Sequence, residues 1–290
     1  MSTPPCAVVV GSLHYDIVVD APHRPAAGET VTGTAWRPVF GGKGGNQAAA
    51  VVAAGVPCRM VSAVGDDGFG TFLRDRLCAA GVDDRHVATL PGQGSGMSVA
   101  IMDAGGDYGA VIVSGTNAAI APETLDRDAL WQGATHLVLQ NEIPEALNIA
   151  AARAARARGL SVVLNAAPAR TLSETFAPLV DILVVNAGEA EALCGVAVDS
   201  LDGARTAAVA LADRFAVAVV TAGGDGVAAA GAGLDGTRSE PGHKVRLVST
   251  HGAGDCFIGT MVARLVEGHP LTEAIADANL TAARRVSSPR

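Results

Sequence analysis

Between Thr135 and Thr221 the chain alternates short, continuously apolar runs with amphipathic stretches, and this pattern constrains its fold more than any other feature. HLVLQ, LSVVLN, DILVVN and AVAVVT are apolar on both sides, so each reads as a strand covered on both faces. PEALNIAAARAARARG, GEAEALCG and SLDGARTAAVALADRF carry helical periodicity. Buried strands alternating with helices pack as a parallel sheet with right-handed crossovers. The expected fold is therefore α/β, a doubly wound and mostly parallel sheet flanked by helices.

The N-terminal half starts with another buried strand, CAVVV at Cys6 to Val10, but then changes character. Strand-like pieces at Ile17 to Val19 and Thr30 to Phe40, and later MSVAIM and GAVIV around the turn DAGGDYG, predict a small sheet inserted at about 15–40 and 95–114. Between them, Asn46 to Gly55 and Gly68 to Gly81 read as glycine-capped helices around the strand CRMVSAV. After Thr221 come a hairpin, GVAAAGAGLDGTRSE, a strand ahead of THGAGDCF, a helix running to Glu267, and a final helix, LTEAIADANLTAARRV. No repeat and no low-complexity linker interrupts this, so residues 1–290 are expected to form a single domain.

Composition narrows the function. With 49% apolar and 17% charged residues, the chain can bury a core without staples. A formal net charge of -8 argues against nucleic acid and anionic lipid as partners. The start MSTPPCAVVVGS has no basic leader, and no apolar run reaches membrane-spanning length, so a cytoplasmic protein with no membrane partner is expected. Five scattered cysteines without CxxC spacing fit a reducing compartment and read as small buried residues. The seven histidines show no metal-ligand spacing.

The chain holds 35 glycines, and four clusters carry much of that excess. Gly41-Gly42-Lys43-Gly44-Gly45-Asn46 enters an alanine-rich helix, where unpaired amides, Lys43 and Asn46 can meet a ligand; a tight turn with Asn46 as N-cap is the plainer alternative. It is not a Walker A loop, because no Ser or Thr follows Lys43. Gly252-Ala253-Gly254-Asp255 opens another helix. Its amides can hold a phosphoryl group as negative charge grows, and Asp255 can take the proton of an attacking hydroxyl, or it can simply favour the positive end of the helix. Thr221-Ala222-Gly223-Gly224-Asp225-Gly226 follows a parallel strand, where open α/β sheets bind nucleotides, although taken by itself the segment reads better as a simple β-turn. Residues 231–236 spell GxGxxG but lead into no helix, so they are rejected as a dinucleotide site.

Acidic residues complete the candidates. Asn186-Ala187-Gly188-Glu189 ends a strand, so Glu189 either approaches a hydrated Mg²⁺ or sits in a capped first turn. Asp16 and Glu142 both follow strands and can bind sugar hydroxyls or stay solvated.

Taken in order, GSLHYD, PAAGETVTG, FGGKGGNQA, GDDGFG, LNAAPAR, VVNAGEAEAL, TAGGDG and THGAGDCF resemble the ribokinase-like, or PfkB, family of carbohydrate kinases. The resemblance runs from Val8 to about Val286, and the pair GGKGGN and GAGD is its most specific part. It implies a ribokinase-like fold with a β-sheet lid and ATP-dependent phosphorylation of a primary sugar hydroxyl, with D-ribose the preferred acceptor. It also implies that Asp255 is the base and that Gly252, Ala253 and Gly254 form an anion hole. His14, Asp16, Gly42, Lys43, Asn46, Glu142 and Asp255 would face the sugar. Asn186, Thr221, Ala222, Gly223, Gly224, Asp225, Gly226, Gly254 and Asn279 would face ATP, and Glu189 would serve Mg²⁺. The lid implies closure over the sugar and a homodimer formed through it.

Three departures qualify these expectations. The family's ribokinases carry asparagine at the position of His14, which changes the donor pattern toward the sugar. Ser249 stands where they have an aspartate in the monovalent-cation loop, and the sequence stops at Arg290, short of their second cation-binding stretch. Weak or absent potassium activation is therefore expected; His251 either fills part of that loop or packs near adenine. A nucleoside or a ketose remains an alternative acceptor. A non-catalytic sugar-binding protein is disfavoured by the intact Gly252 to Asp255 segment, and an NAD-dependent oxidoreductase by the first strand ending in GSLHYD.

Overall fold

Ala7 and Val9 of the first strand, β1 (Cys6–Val10), point to one side of the sheet and Val8 and Val10 to the other, and all four are fully buried. In this computed structural model, which describes residues 3–105, 108–249 and 252–287, β1 lies inside a nine-stranded sheet. The remaining strands of that sheet are β4 (Cys58–Gly65), β5 (Asp83–Leu90), β8 (Ala134–Gln140), β9 (Ser161–Asn165), β10 (Ile182–Asn186), β11 (Val217–Thr221), β12 (Gly226–Gly231) and β13 (Arg238–Pro241). Their order is β13-β12-β11-β10-β9-β8-β1-β4-β5, parallel from β5 across to β11, with an antiparallel hairpin at the far edge.

Two apolar clusters follow from strands that are dry on both faces. Helices α1 (Lys43–Ala53), α2 (Gly68–Ala79), α7 (Ala253–Val266) and α8 (Leu271–Ser287) cover the face that holds Ala7 and Val9. The short α3 (Asp128–Trp131) and helices α4 (Glu145–Arg156), α5 (Ala187–Cys194) and α6 (Leu201–Ala212) cover the other. The doubly wound expectation holds. Because the chain runs from β1 to β4 on one side and later to β8 on the other, the topological switch point lies between β1 and β8. Ligands of open α/β sheets bind at the carboxyl ends of strands at such a point.

A second sheet, ordered β3-β2-β6-β7, is built from β2 (His14–Asp20), β3 (Ala35–Gly41), β6 (Met97–Met102) and β7 (Tyr108–Val113). These strands fall in the two insertions expected from the sequence. In the β2–β3 pairing His14 faces Gly41, so the foot of the small sheet is tied to the switch point. Among the described residues no helix is long and apolar enough to cross a membrane.

The structure corrects four local expectations. Helix α1 begins at Lys43, with Gly42 at its N-cap, so Asn46 lies in the first turn and caps nothing. The glycines fit inside the helix because its backbone rests on the loop after β1; a methyl on Gly44 would lie 2.6 Å from the Ser12 amide nitrogen. No strand forms at 246–249: the Val248 and Ser249 amides instead donate to the Val286 carbonyl of α8. Strand β5, DDRHVATL, has no apolar alternation; it is an edge strand on which Asp83, Asp84 and Arg85 stay half-buried or exposed. Cys6 and Cys58 are buried as expected, but Cys78 is exposed and Cys194 and Cys256 are only half-buried.

Candidate active site

The loop after β1, the loop after β8 and the start of α1 meet at the switch point. Glu142 accepts hydrogen bonds there through Oε2 from the Ser12 hydroxyl and, at 2.8 Å, from the Lys43 amide. A carboxylate at a helix N-terminus is favoured by the unpaired amides and the positive end of the dipole. His14 Nδ1 lies 3.8 Å from the same Oε2, while its Nε2 is buried without a hydrogen-bond partner. Gly42 has φ +86°, and a methyl on it would strike the Ser12 carbonyl and the Leu13 and His14 backbone. Asp16, two residues along β2 from His14, accepts from the Ser98 hydroxyl, and its carboxylate lies against Gly41.

Asp255, in the first turn of α7, reaches this cluster from the other side. Its Oδ1 accepts from Gln47 Nε2 at 3.0 Å, and Asn46 also hydrogen-bonds to the carboxylate. Burial raises its pKa above the usual carboxylate value, the Lys43 charge and the Gln47 bond oppose that rise, and Glu142 adds to it. Gly252, at the N-cap of α7, has φ +76°, and a methyl on Gly254 would meet nothing within 4 Å among the described residues. Thr250 and His251 lie outside the described residues.

Behind Asp255 stands a buried amide chain that the sequence motifs did not single out. Gln47 Nε2 also donates to Asn165 Oδ1 at 3.1 Å, and Gln140 Nε2 donates to Gln47 Oε1 at 2.8 Å. Gln140 and Asn165 are the polar last residues of the apolar strands β8 and β9. With Ser12 they are the site residues that sequence reasoning missed. The signal was present as polar side chains closing the otherwise apolar runs HLVLQ and LSVVLN.

Asn186, the last residue of β10, is exposed and caps α5. Its Oδ1 accepts from the Glu189 amide and Glu189 Oε2 accepts from the Asn186 amide, both at 2.9 Å. Glu189 is buried, which raises its pKa; its cap bonds and Lys43 oppose the rise, and Asp255 adds to it. The capping alternative is the one the structure shows: Glu189 is a capping-box acid, and Lys43 and Asp255 act on it through space. Asn186 pairs with Thr221 in the β10–β11 register. From Thr221 the chain turns through Ala222 and exposed Gly223, Gly224 and Asp225 to Gly226, which faces Pro241 across β12 and β13. Asn279 Nδ2 of α8 donates to the Pro241 carbonyl at 2.9 Å, which joins the last helix to this turn. The structure thus gathers the expected sugar-facing residues at the switch point and the expected nucleotide-facing residues along the ends of β10 to β13, except Gly254, which lies in the first turn of α7.

A doubly wound sheet with a buried acid and a glycine-led helix start beside it has groups that can take a proton and hold an anion. Comparison with known proteins agrees: residues 6–290 match the pfkB family of carbohydrate kinases. The ribokinase of Haemophilus influenzae is 33% identical over 270 residues, covering 92% of this chain and 87% of the relative. The deoxyribokinase of Salmonella typhi is also 33% identical, over 286 residues, covering 96% and 92%. Among solved structures, Arabidopsis thaliana ribokinase complexed with ribose and ATP superposes with a TM-score of 0.90 at 26% identity, covering 99% of this chain and 94% of that one. The chain belongs to the pfkB family of carbohydrate kinases.

Proposed function

We propose that this kinase transfers the γ-phosphoryl group of ATP to a primary hydroxyl of D-ribose, with Asp255 as the base. The observation that carries the reading is the placement of Asp255 at the start of α7, within the field of Lys43 and Glu142. Its carboxylate takes the hydroxyl proton as the sugar oxygen bonds to the γ-phosphorus and the bond to the bridging oxygen of ADP breaks. The Gly252, Ala253 and Gly254 amides stabilise the charge that grows on the transferring group. His14, Asp16, Gly42, Lys43, Asn46 and Glu142 hold the sugar. Asn186, the segment from Thr221 to Gly226, Gly254 and Asn279 hold the nucleotide.

The residues present fit a hydrated Mg²⁺. Glu189 Oε2 is taken by the cap, and this half-anchored carboxylate is the kind of oxygen donor that a water-coated Mg²⁺ uses. Mg²⁺ keeps several waters and needs only one or two carboxylates beside substrate phosphates; when bound, it offsets phosphate charge. Monovalent-cation activation is weak or absent, since Ser249 supplies no carboxylate. The small sheet is a lid inserted in a single domain. It carries exposed Trp36, Val111, Ile112 and Val113, which suit a homodimer formed through it. Free cysteines throughout fit a cytoplasmic enzyme.

The Salmonella typhi deoxyribokinase, equal in identity, favours 2-deoxyribose as a second acceptor. An ADP-release assay over ribose, deoxyribose, ketoses and nucleosides, with and without potassium, ranks the acceptors. In the same assay Asp255→Ala should lose turnover by at least about 10²-fold while still binding sugar. Undiminished turnover by that variant removes Asp255 as the base.

A further inference from the structure

We propose that Gln47 is a positioning residue that holds the Asp255 carboxylate in one rotamer, its own amide locked in the donating orientation by Asn165 and Gln140. The inference rests on the reading of Asp255 as the base. Gln47 is fully buried in α1, yet it spends every polar atom. Both Nε2 hydrogens are used, one on Asp255 Oδ1 at 3.0 Å and one on Asn165 Oδ1 at 3.1 Å, and Oε1 accepts from Gln140 at 2.8 Å.

The polarity of this chain is set by the backbone. Asn165 Nδ2 donates to the Val184 carbonyl of β10 at 3.2 Å, and a carbonyl can only accept. Asn165 must therefore turn Oδ1 toward Gln47, which must answer with Nε2. Reversing the Gln47 amide would set its oxygen against two acceptors and its amino group against that of Gln140, losing three hydrogen bonds. A carboxylate in a first helical turn otherwise rotates freely about its last bond. With Oδ1 anchored by an amide that cannot flip, the other oxygen keeps one direction.

The arrangement is not there for stability alone. Among the described residues Gln140 Oε1 is buried with no hydrogen-bond partner, a penalty that an apolar side chain at that position would avoid. The charged and titratable groups around Asp255 are Lys43 of α1, Glu142 after β8, Glu189 of α5 and its neighbour Cys256. These act on it through space, and among the described residues the side-chain hydrogen bonds to it come from α1, by Gln47 and Asn46.

The test compares full-length Gln47→Met, Gln47→Glu and Gln140→Met enzymes by sugar KM, kcat, the pH profile of kcat/KM and thermal unfolding. Gln47→Met removes the donor at nearly constant volume and should lower kcat about ten- to a hundredfold with sugar KM little changed. Its acid limb should move to higher pH, because a bond to the ionised carboxylate is lost. Gln47→Glu adds a like charge and should move the limb further. Gln140→Met leaves the donor but frees it to swing, giving a smaller change in the same direction. Wild-type kcat and an unmoved acid limb in Gln47→Met overturn the proposal, as does a loss confined to thermal stability. If Gln47→Met does not fold, Gln140→Met decides by the same two readouts. Full turnover by Asp255→Ala would instead overturn the base itself, whereas an inactive Asp255→Ala beside a normal Gln47→Met removes only the positioning role.

Discussion

Helices α1 and α7 start alike and end up differently. Each is led by a glycine in the left-handed region, Gly42 at φ +86° and Gly252 at φ +76°, and neither has a side-chain cap. At α1 the amides are already committed: Lys43 donates to Glu142, Gly44 to the Ser12 hydroxyl and Gly45 to the Ser12 carbonyl. Its glycines are jammed against residues 11–13 and Phe40. At α7 a side chain on Gly254 would meet none of the described residues within 4 Å. One sequence signal, glycines at a helix start, thus serves close packing in the first case and leaves the proposed phosphoryl cradle uncrowded in the second.

The sharpest way to break the comparison is to add one methyl at each start. At Gly44 the methyl would lie 2.6 Å from the Ser12 nitrogen and 2.7 Å from the Gly11 carbonyl carbon, both backbone atoms that cannot step aside. Gly44→Ala should therefore destabilise by roughly 3 kcal/mol, the upper end for overpacking, and lower the midpoint in denaturant titration. Gly254→Ala meets no neighbour and gains helix propensity, so its midpoint should hold or rise slightly, by up to about 1 kcal/mol. Its ATP turnover should nevertheless fall, because the methyl occupies the cradle. Equal loss of stability at both positions would show that the two starts are packed alike.

Helix α5 supplies the intermediate case, a start capped by its own side chains. Asn186→Ala removes the Oδ1 acceptor of the Glu189 amide and should cost about 1 kcal/mol of stability. Because Asn186 is also exposed at the nucleotide side, the KM for ATP should rise along with that loss. A stability loss with unchanged ATP KM would make it a cap and nothing more.

What could be read from the sequence follows the same division. Strands buried on both faces announce themselves, so β1, β4 and β8 to β11 were legible, as was the insertion of the small sheet. Strand β5 was not, because an edge strand with one neighbour tolerates Asp83, Asp84 and Arg85. The stretch at 246–249 misled because its apolar side chains imitate a strand while its amides cap α8. Within the site, residues on short motifs were legible: Asp255, Lys43, Glu142, Asn186. Gln47, Gln140 and Asn165 were not, because three buried amides from three distant segments acquire meaning only when the sheet brings them together. That Gly44 and Gly45 would pack against the chain rather than face a sugar also depended on a neighbour 32 residues away, Ser12.

The smallest expected effect concerns the charge each helix start carries. The acid at α1, Glu142, is anchored by an amide and a hydroxyl, whereas Asp255 at α7 has its pKa raised chiefly by burial. A raised folded-state pKa means that the folded protein holds this proton over a window in which the unfolded chain has released it. The wild type therefore loses stability as pH climbs from the ordinary carboxylate value of 3.8 through the raised one, and bears the full penalty above it. Asp255→Asn carries no such charge and keeps an oxygen for the Gln47 donor. Near neutral pH it should melt higher than the wild type, on the order of 2 °C. That advantage should shrink toward zero as the pH falls below the ordinary carboxylate value, which paired thermal scans across pH would follow. A variant that melts lower than the wild type at neutral pH would mean that Lys43 and Gln47 outweigh burial, and that α7 holds its acid as comfortably as α1 holds Glu142.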